Sequence, residues 1–206
     1  DDVIIDSLTD AIYSSVGSLT NPHKLANTVS SVLGRSTSDR TIKTYLDYLE
    51  DSYLMASADR YDVKGKRYFN TIKKYYACDL GLRNARINFR QQERSHLMEN
   101  MIYNELLCRG YCVDVGVVEI ERKIDGKRVQ SQYEIDFVVN TGTDKIYIQS
   151  ALNVDTEEKK NQETFSLRNT QDFHRKIVVL DGNSKQWTDV DGVSYIGVIP
   201  FLLGEV

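Results

Sequence analysis

Residues 133–151 read Tyr-Glu-Ile-Asp-Phe-Val-Val-Asn-Thr-Gly-Thr-Asp-Lys-Ile-Tyr-Ile-Gln-Ser-Ala. The runs Tyr133–Val139 and Lys145–Ala151 are rich in β-branched and aromatic residues, and Asn140-Thr141-Gly142 between them has the composition of a turn, so the stretch predicts two paired strands. Strand side chains alternate faces. Glu134 and Asp136 therefore share one face of the first strand, and Lys145, Tyr147, Gln149 and Ala151 share one face of the second. Upstream, Tyr111–Gly116 and Val117–Glu121 read as further strands, with a turn at Gly126. Before them a helix over Ser95–Arg109 carries Leu97, Met98, Met101, Ile102, Leu106 and Leu107, and Gly110 closes it. Downstream come a charged helix over 156–169, a buried strand Lys176–Asp181 and a last strand Ser194–Ile199. Pro200–Leu203 forms a final helical turn. The order α-β-β-β-α-β-β predicts a mixed sheet flanked by helices, an α/β (α+β) arrangement.

The composition changes near residue 90, which divides the chain into 1–90 and 91–206. In the first part Val3, Ile4, Leu8, Ile12 and Val16 recur at helical spacing. Thr20-Asn21-Pro22 then supplies a cap followed by proline at the first helical position. Leu25, Val29, Val32 and Leu33 form the stripe of a second helix that Gly34 ends. A third helix follows Ser36–Asp39 and buries Ile42, Tyr45, Leu46 and Leu49. Ser52–Ala56 and Ala58–Asp62 read as a bent strand, Val63–Arg67 as a hairpin tip turned by Gly65, and Tyr68-Phe69 with Lys74–Ala77 as the return. Three short helices and a basic hairpin predict a winged helix-turn-helix.

The 206 residues carry 41% hydrophobic and 27% charged side chains, the balance of a globular chain. The formal net charge of -4 argues against a protein that coats nucleic acid by bulk attraction. No apolar run approaches the roughly 20 residues of a membrane-spanning helix. The chain opens with Asp1-Asp2 and no basic, apolar leader. These features predict a cytoplasmic protein without a membrane partner. Cys78, Cys108 and Cys112 are an odd number without zinc spacing, which fits reduced thiols.

Chemistry concentrates in the second part. A carboxylate on the long helix (Glu99), Asp136 on one strand and the oxygen of Gln149 on the next are types that could hold Mg²⁺, which would polarise a phosphodiester and activate water. This pattern resembles the PD-(D/E)XK nuclease fold, the restriction-endonuclease core, with an acid on the first helix, Asp on a strand and Glu/Gln-x-Lys on the next. The matching positions are Glu99, Asp136 and Gln149, and the lysine position is Ala151. Losing the lysine removes a positive charge beside the nucleophile. Gln in place of Glu removes a negative charge from the metal cage. The resemblance implies a degenerate, inactive site.

The segments "RTIKTYLDYLEDSYLMASADRYDVKGKRYFNTIKKYYACDLGLRNA", "HLMENMIYNELLCRGYCVDVG", "EIDFVV" and "IYIQSA" occur in an order that resembles the C-terminal half of a prokaryotic AAA+ superfamily ATPase family. That resemblance implies an N-terminal P-loop ATPase module, a winged-helix segment and a nuclease-like domain of unknown function. ATP and Mg²⁺ would belong to the ATPase module. The sequence contains no G-x-x-x-x-G-K-[ST], so no cofactor is expected in this chain.

Arg40 and Lys43 lie off the buried stripe of the third helix, and Lys64, Lys66 and Arg67 crowd the hairpin tip. In a winged helix-turn-helix the third helix enters the major groove and the wing touches phosphate, so these five residues are the expected contacts to double-stranded DNA. Three readings of function follow. The first is the regulatory, nucleic-acid-associated portion of an AAA+ ATPase. The second is a metal-dependent nuclease using Glu99, Asp136 and Gln149. The third is a protein-interaction module that docks on its own ATPase domain or forms a homo-oligomer.

Overall fold

The computed structural model describes residues 1–124 and 127–205. The turn expected at Gly126 lies outside the described residues. The fold is mixed α/β and divides into two compact units, one of Asp1–Asp59 with Asn70–Met101, the other of Arg60–Phe69 with Ile102–Val206.

The first unit opens with three helices: α1 (Asp2–Tyr13), α2 (Pro22–Leu33) and α3 (Asp39–Asp51). Local chemistry sets their ends. The Asn21 side chain accepts from the His23 N–H and Pro22 follows it, so α2 begins there. Gly34 ends it in the left-handed conformation at φ 63°. Ser38 caps α3 by accepting from the Thr41 N–H. Leu8, Ile12, Ile42, Leu46 and Leu49 pack into one core and are at most 2% exposed. The short strand β1 (Leu19–Thr20) runs antiparallel to β3 (Arg67–Ala77), with Leu19 opposite Lys74, and β3 neighbours β2 (Met55–Asp62). Helix α4 (Leu80–Arg86) starts at an Asp79 cap and had no clear sequence signal. The start of α5 (Arg94–Cys108) is tied to β3 by Asn100, whose side chain bonds both the N–H and C=O of Ala77.

The second unit takes in the ends of β2 and β3 that face the hairpin tip, and the rest of α5. Arg60–Asp62 of β2 pair parallel with Val115–Val117 of β4 (Cys112–Ile124). From there the order is β4, β5 (Lys127–Asn140), β6 (Lys145–Ala151), β7 (Arg175–Leu180), β9 (Val193–Gly197) and β8 (Trp187–Thr188). The pairs β4/β5 and β5/β6 are antiparallel, whereas β6/β7 and β7/β9 are parallel. Helix α6 (Glu157–Arg168), capped by Thr156, makes the crossover between the first parallel pair. Helix α7 (Val198–Leu202) follows β9 and holds Pro200 in its first turn, where a missing N–H does no harm. The strands expected at 111–116 and 117–121 are one strand with a register shift between Asp114 and Gly116. Gly116 is required there, because a Cβ would come within 2.8 Å of Val138 Cγ2 and 2.9 Å of Ile135 Cβ.

Candidate functional site

Asp136 and Gln149 occupy neighbouring strands of the second unit. Asp136 is 7% exposed. Its Oδ2 accepts the Ser150 N–H at 2.8 Å, and the Gln149 Oε1 accepts the Asp136 N–H at 3.4 Å. The carboxamide oxygen is thus turned onto the backbone, and the carboxylate is spent partly on an amide. Ala151, at the lysine position, is 4% exposed and belongs to the core with Val138, Tyr147 and Val178. Mg²⁺ takes six oxygens, one or two of them carboxylate and the rest from water or substrate phosphate. Here the Gln149 oxygen and one Asp136 oxygen each already accept a backbone N–H, which leaves both poorly placed as ligands. Among the described residues no three His, Cys, Asp or Glu side chains gather as metal ligands would.

Glu99 falls in the first unit. Its Oε1 accepts from Lys74 Nζ at 2.9 Å and from the Tyr76 hydroxyl at 2.8 Å. Lys74 and Tyr76 are 3% and 0% exposed, so the acid closes a buried ion pair. A signal for this pair existed. Lys74 and Tyr76 are two apart on β3 and therefore share a face. Lys145, on the strand of Gln149, directs Nζ to the Tyr61 hydroxyl at 3.5 Å and sits 4.8 Å from that ring's centre.

The basic residues divide in the same way. Arg40 and Lys43 are exposed on α3 in the first unit. Lys43 lines a 240 Å³ hollow together with Asp47, Glu50 and Lys73, so its charge has acidic company. Burial pushes the Glu50 carboxyl above its ordinary pKa, against a hydrogen bond from Ser57 and the charge of Lys73. Lys64, Lys66 and Arg67 belong to the second unit. Lys66 is exposed. Lys64 Nζ donates to the Glu119 carbonyl at 2.9 Å, and Arg67 Nε pairs with the buried Asp62 at 3.2 Å. Both line an open cleft of about 750 Å³ with Asp62, Glu119, Glu121 and Arg128. Arg128 is itself 3.2 Å from Glu121, so positive and negative groups alternate around the cleft.

Two charged centres escaped the sequence reading. Asp189, with its side chain 3% exposed, accepts from the N–H groups of Val193 and Asp191 and from the Tyr195 hydroxyl, each at 3.0 Å. Arg168 stands 3.2 Å and Lys160 3.6 Å from Oδ2, the oxygen that accepts from Tyr195. Burial alone would raise the Asp189 pKa, but these donors and the lysine charge outweigh it and hold the carboxyl below its ordinary value. Trp187 stacks on Tyr195 at 4.0 Å, with Lys160 5.5 Å from each ring. Asp189-Val190-Asp191-Gly192 does carry a turn signature, but the cations come from a helix distant in sequence. The second centre is Arg83, which is 1% exposed in the first unit.

The geometry defines a class: a mixed α/β chain of two compact units in which Asp136 on β5 and Gln149 on β6 are engaged with the backbone. The chain belongs to the family described as a domain of unknown function (DUF4143), which it matches over residues 94–201. Residues 3–93 match a second domain of unknown function (DUF8612). An uncharacterized protein of Haemophilus influenzae is 36% identical over 200 residues, covering 97% of this chain. The chain spans 46% of the length of that relative. The crystal structure of protein VC1899 from Vibrio cholerae is similar at 12% identity and a TM-score of 0.35, over 98% of this chain and 55% of that one. No helix among the described residues is long and apolar enough to cross a membrane.

Proposed function

We propose that this chain is the regulatory portion of a longer AAA+ ATPase, built from a winged helix and a restriction-endonuclease-like domain that does not cut. The observation that carries the non-cutting part is the state of Asp136, Gln149 and Ala151. The aspartate accepts a backbone N–H, the glutamine oxygen faces another, and a buried methyl stands where the nuclease pattern has a lysine. Three antiparallel strands followed by a helix and parallel strands support the nuclease-like sheet. A relative about twice as long leaves room for an ATPase module outside these residues. The test is plasmid cleavage in Mg²⁺ or Mn²⁺ by the wild type and by Asp136→Asn. Neither should cut. Cleavage by the wild type that Asp136→Asn abolishes would overturn the reading and install the metal-dependent nuclease.

Contact with double-stranded DNA is part of this proposal, through the exposed Arg40, Lys43 and Lys66. Affinity should fall steeply between about 50 and 200 mM salt and drop on changing all three to alanine. Unchanged binding in that variant removes DNA contact from the reading. The alternation of charge around Lys64 and Arg67 favours a second reading for that cleft, docking on the chain's own ATPase module. Co-purification with a separately expressed module, lost on reversing Lys64 and Arg67 to glutamate, tests it, and failure to co-purify counts against it.

A further inference from the structure

The 240 Å³ hollow of the first unit is lined from α3 by Lys43, Asp47 and Glu50, which recur at helical spacing, and from β3 by Lys73 and Tyr75, which share a strand face. Lys43 and Asp47 are exposed and stand one turn apart, yet neither is held in an ion pair among the described residues. Half-buried Lys73 pairs with Asp59 at 3.1 Å, which uses one of its three N–H groups. The second observation is Tyr75. It is 6% exposed, and its hydroxyl meets no hydrogen-bond partner among the described residues. A buried tyrosine hydroxyl usually finds one. Burial first, then the charges of Glu50 and Asp47, push this hydroxyl above its ordinary pKa, which sets it beside the two acids of the lining.

We infer that this hollow binds a small zwitterion, a free α-amino acid with an apolar side chain. The lining balances Lys43 and Lys73 against Asp47 and Glu50. A ligand of one charge sign meets as much repulsion as attraction there, whereas a molecule with an ammonium and a carboxylate sets each against its opposite. Lys43 and the spare N–H groups of Lys73 donate to the carboxylate. Asp47 and Glu50 accept from the ammonium, and the Tyr75 hydroxyl can serve either end. Burial raises the Glu50 carboxyl, and an ammonium beside it restores the ionised form. Leu46 and Pro22 complete the lining with apolar surface for the side chain. The volume lies below the roughly 300 Å³ at which sites for larger organic ligands begin, so it admits a single amino acid. Lys43 is also one of the DNA contacts proposed above, but the hollow holds its ligand whether or not α3 meets DNA.

The experiment measures the thermal unfolding midpoint of the purified chain at neutral pH, without DNA, against L-leucine, L-valine, L-methionine and L-phenylalanine in turn. A ligand that binds the folded state raises the midpoint in a saturable way, whereas a merely excluded solute raises it without saturation. The wild type should respond saturably to at least one of the four. The carboxamide of that amino acid lacks the carboxylate, and its N-acetyl derivative lacks the ammonium. Each should need about tenfold more, the scale of losing one hydrogen bond to a charged group. Tyr75→Phe removes an oxygen that holds nothing else in place and should raise the half-saturation several-fold. If Tyr75→Phe does not fold, Lys43→Gln on the exposed face of α3 takes its place, and should weaken the free amino acid while leaving the carboxamide unchanged. No saturable response to any of the four overturns the site. So does a carboxamide or N-acetyl derivative that matches its parent, or the same half-saturation in wild type and variant.

Discussion

Asp189 carries its charge almost out of solvent, and the groups around it determine what acid does to the protein. Its folded pKa lies below the ordinary 3.8. A depressed carboxyl stabilises the fold fully above the unfolded pKa and loses that contribution as pH falls through the folded one. Stability should therefore decline on acidification below about pH 4. Asp189→Asn should cost about 2 kcal/mol at pH 7, because Arg168 and Lys160 then lose a buried partner, and should flatten the decline. Urea unfolding across that pH range checks both. Glu50 has the opposite sign: raised by burial, it favours the fold below its ordinary 4.5 and works against it as pH rises through the higher folded value. Glu50→Gln should thus raise the midpoint at pH 7. Gly17 is a separate case. It sits at φ 71°, and a Cβ there would lie 3.2 Å from Glu99 Oε1, beside the buried ion pair. Gly17→Ala should destabilise by about 1–2 kcal/mol in the same assay.

At the scale of elements, the N-cap of α2 offers a clean measurement. Asn21→Ala should lower stability by about 1 kcal/mol, since the His23 N–H loses its acceptor. Elements with their own punctuation were the legible ones. Pro22 and Gly34 bracket α2, and Thr156 caps α6, close to where the sequence places both ends. The strand Lys145–Ala151 appears with the bounds that its alternation suggests. Elements whose existence depends on partners were not legible. Two-residue β1 and β8 have no pattern to read, and their backbone groups find β3 and β9 through tertiary placement. The register shift after Asp114 places Gly116 where a Cβ would meet Val138 and Ile135 of the next strand, a constraint that local sequence does not report. The site residues divide likewise. Strand parity grouped Glu134 with Asp136 and Lys145 with Tyr147, Gln149 and Ala151, and the nuclease resemblance singled out Asp136 and Gln149 from those faces. The less legible partners are the distant ones, Lys74 for Glu99, Arg168 for Asp189 and Tyr13 for Arg83, because periodicity does not report which separate segments meet.

For the molecule as a whole, the family boundary near residue 93 and the compact units are different partitions of the chain. Arg60–Asp62 precede that boundary yet pair with Val115–Val117 beyond it. A fragment of residues 94–206 would leave this edge of β4 without its parallel neighbour, and unpaired edges invite association. The fragment should melt lower than the full chain and run as a mixture of sizes by light scattering. An equally stable, monodisperse fragment would show that the β2 segment is dispensable. The same pairing has a consequence during synthesis. The ribosome releases residues 60–69 well before the strand that receives them, so the early segment must wait while two helices emerge. Closing so long a loop is slow. Whatever shields that segment in the interval, whether early folding of the preceding helices or a chaperone, sets the yield of correctly assembled protein.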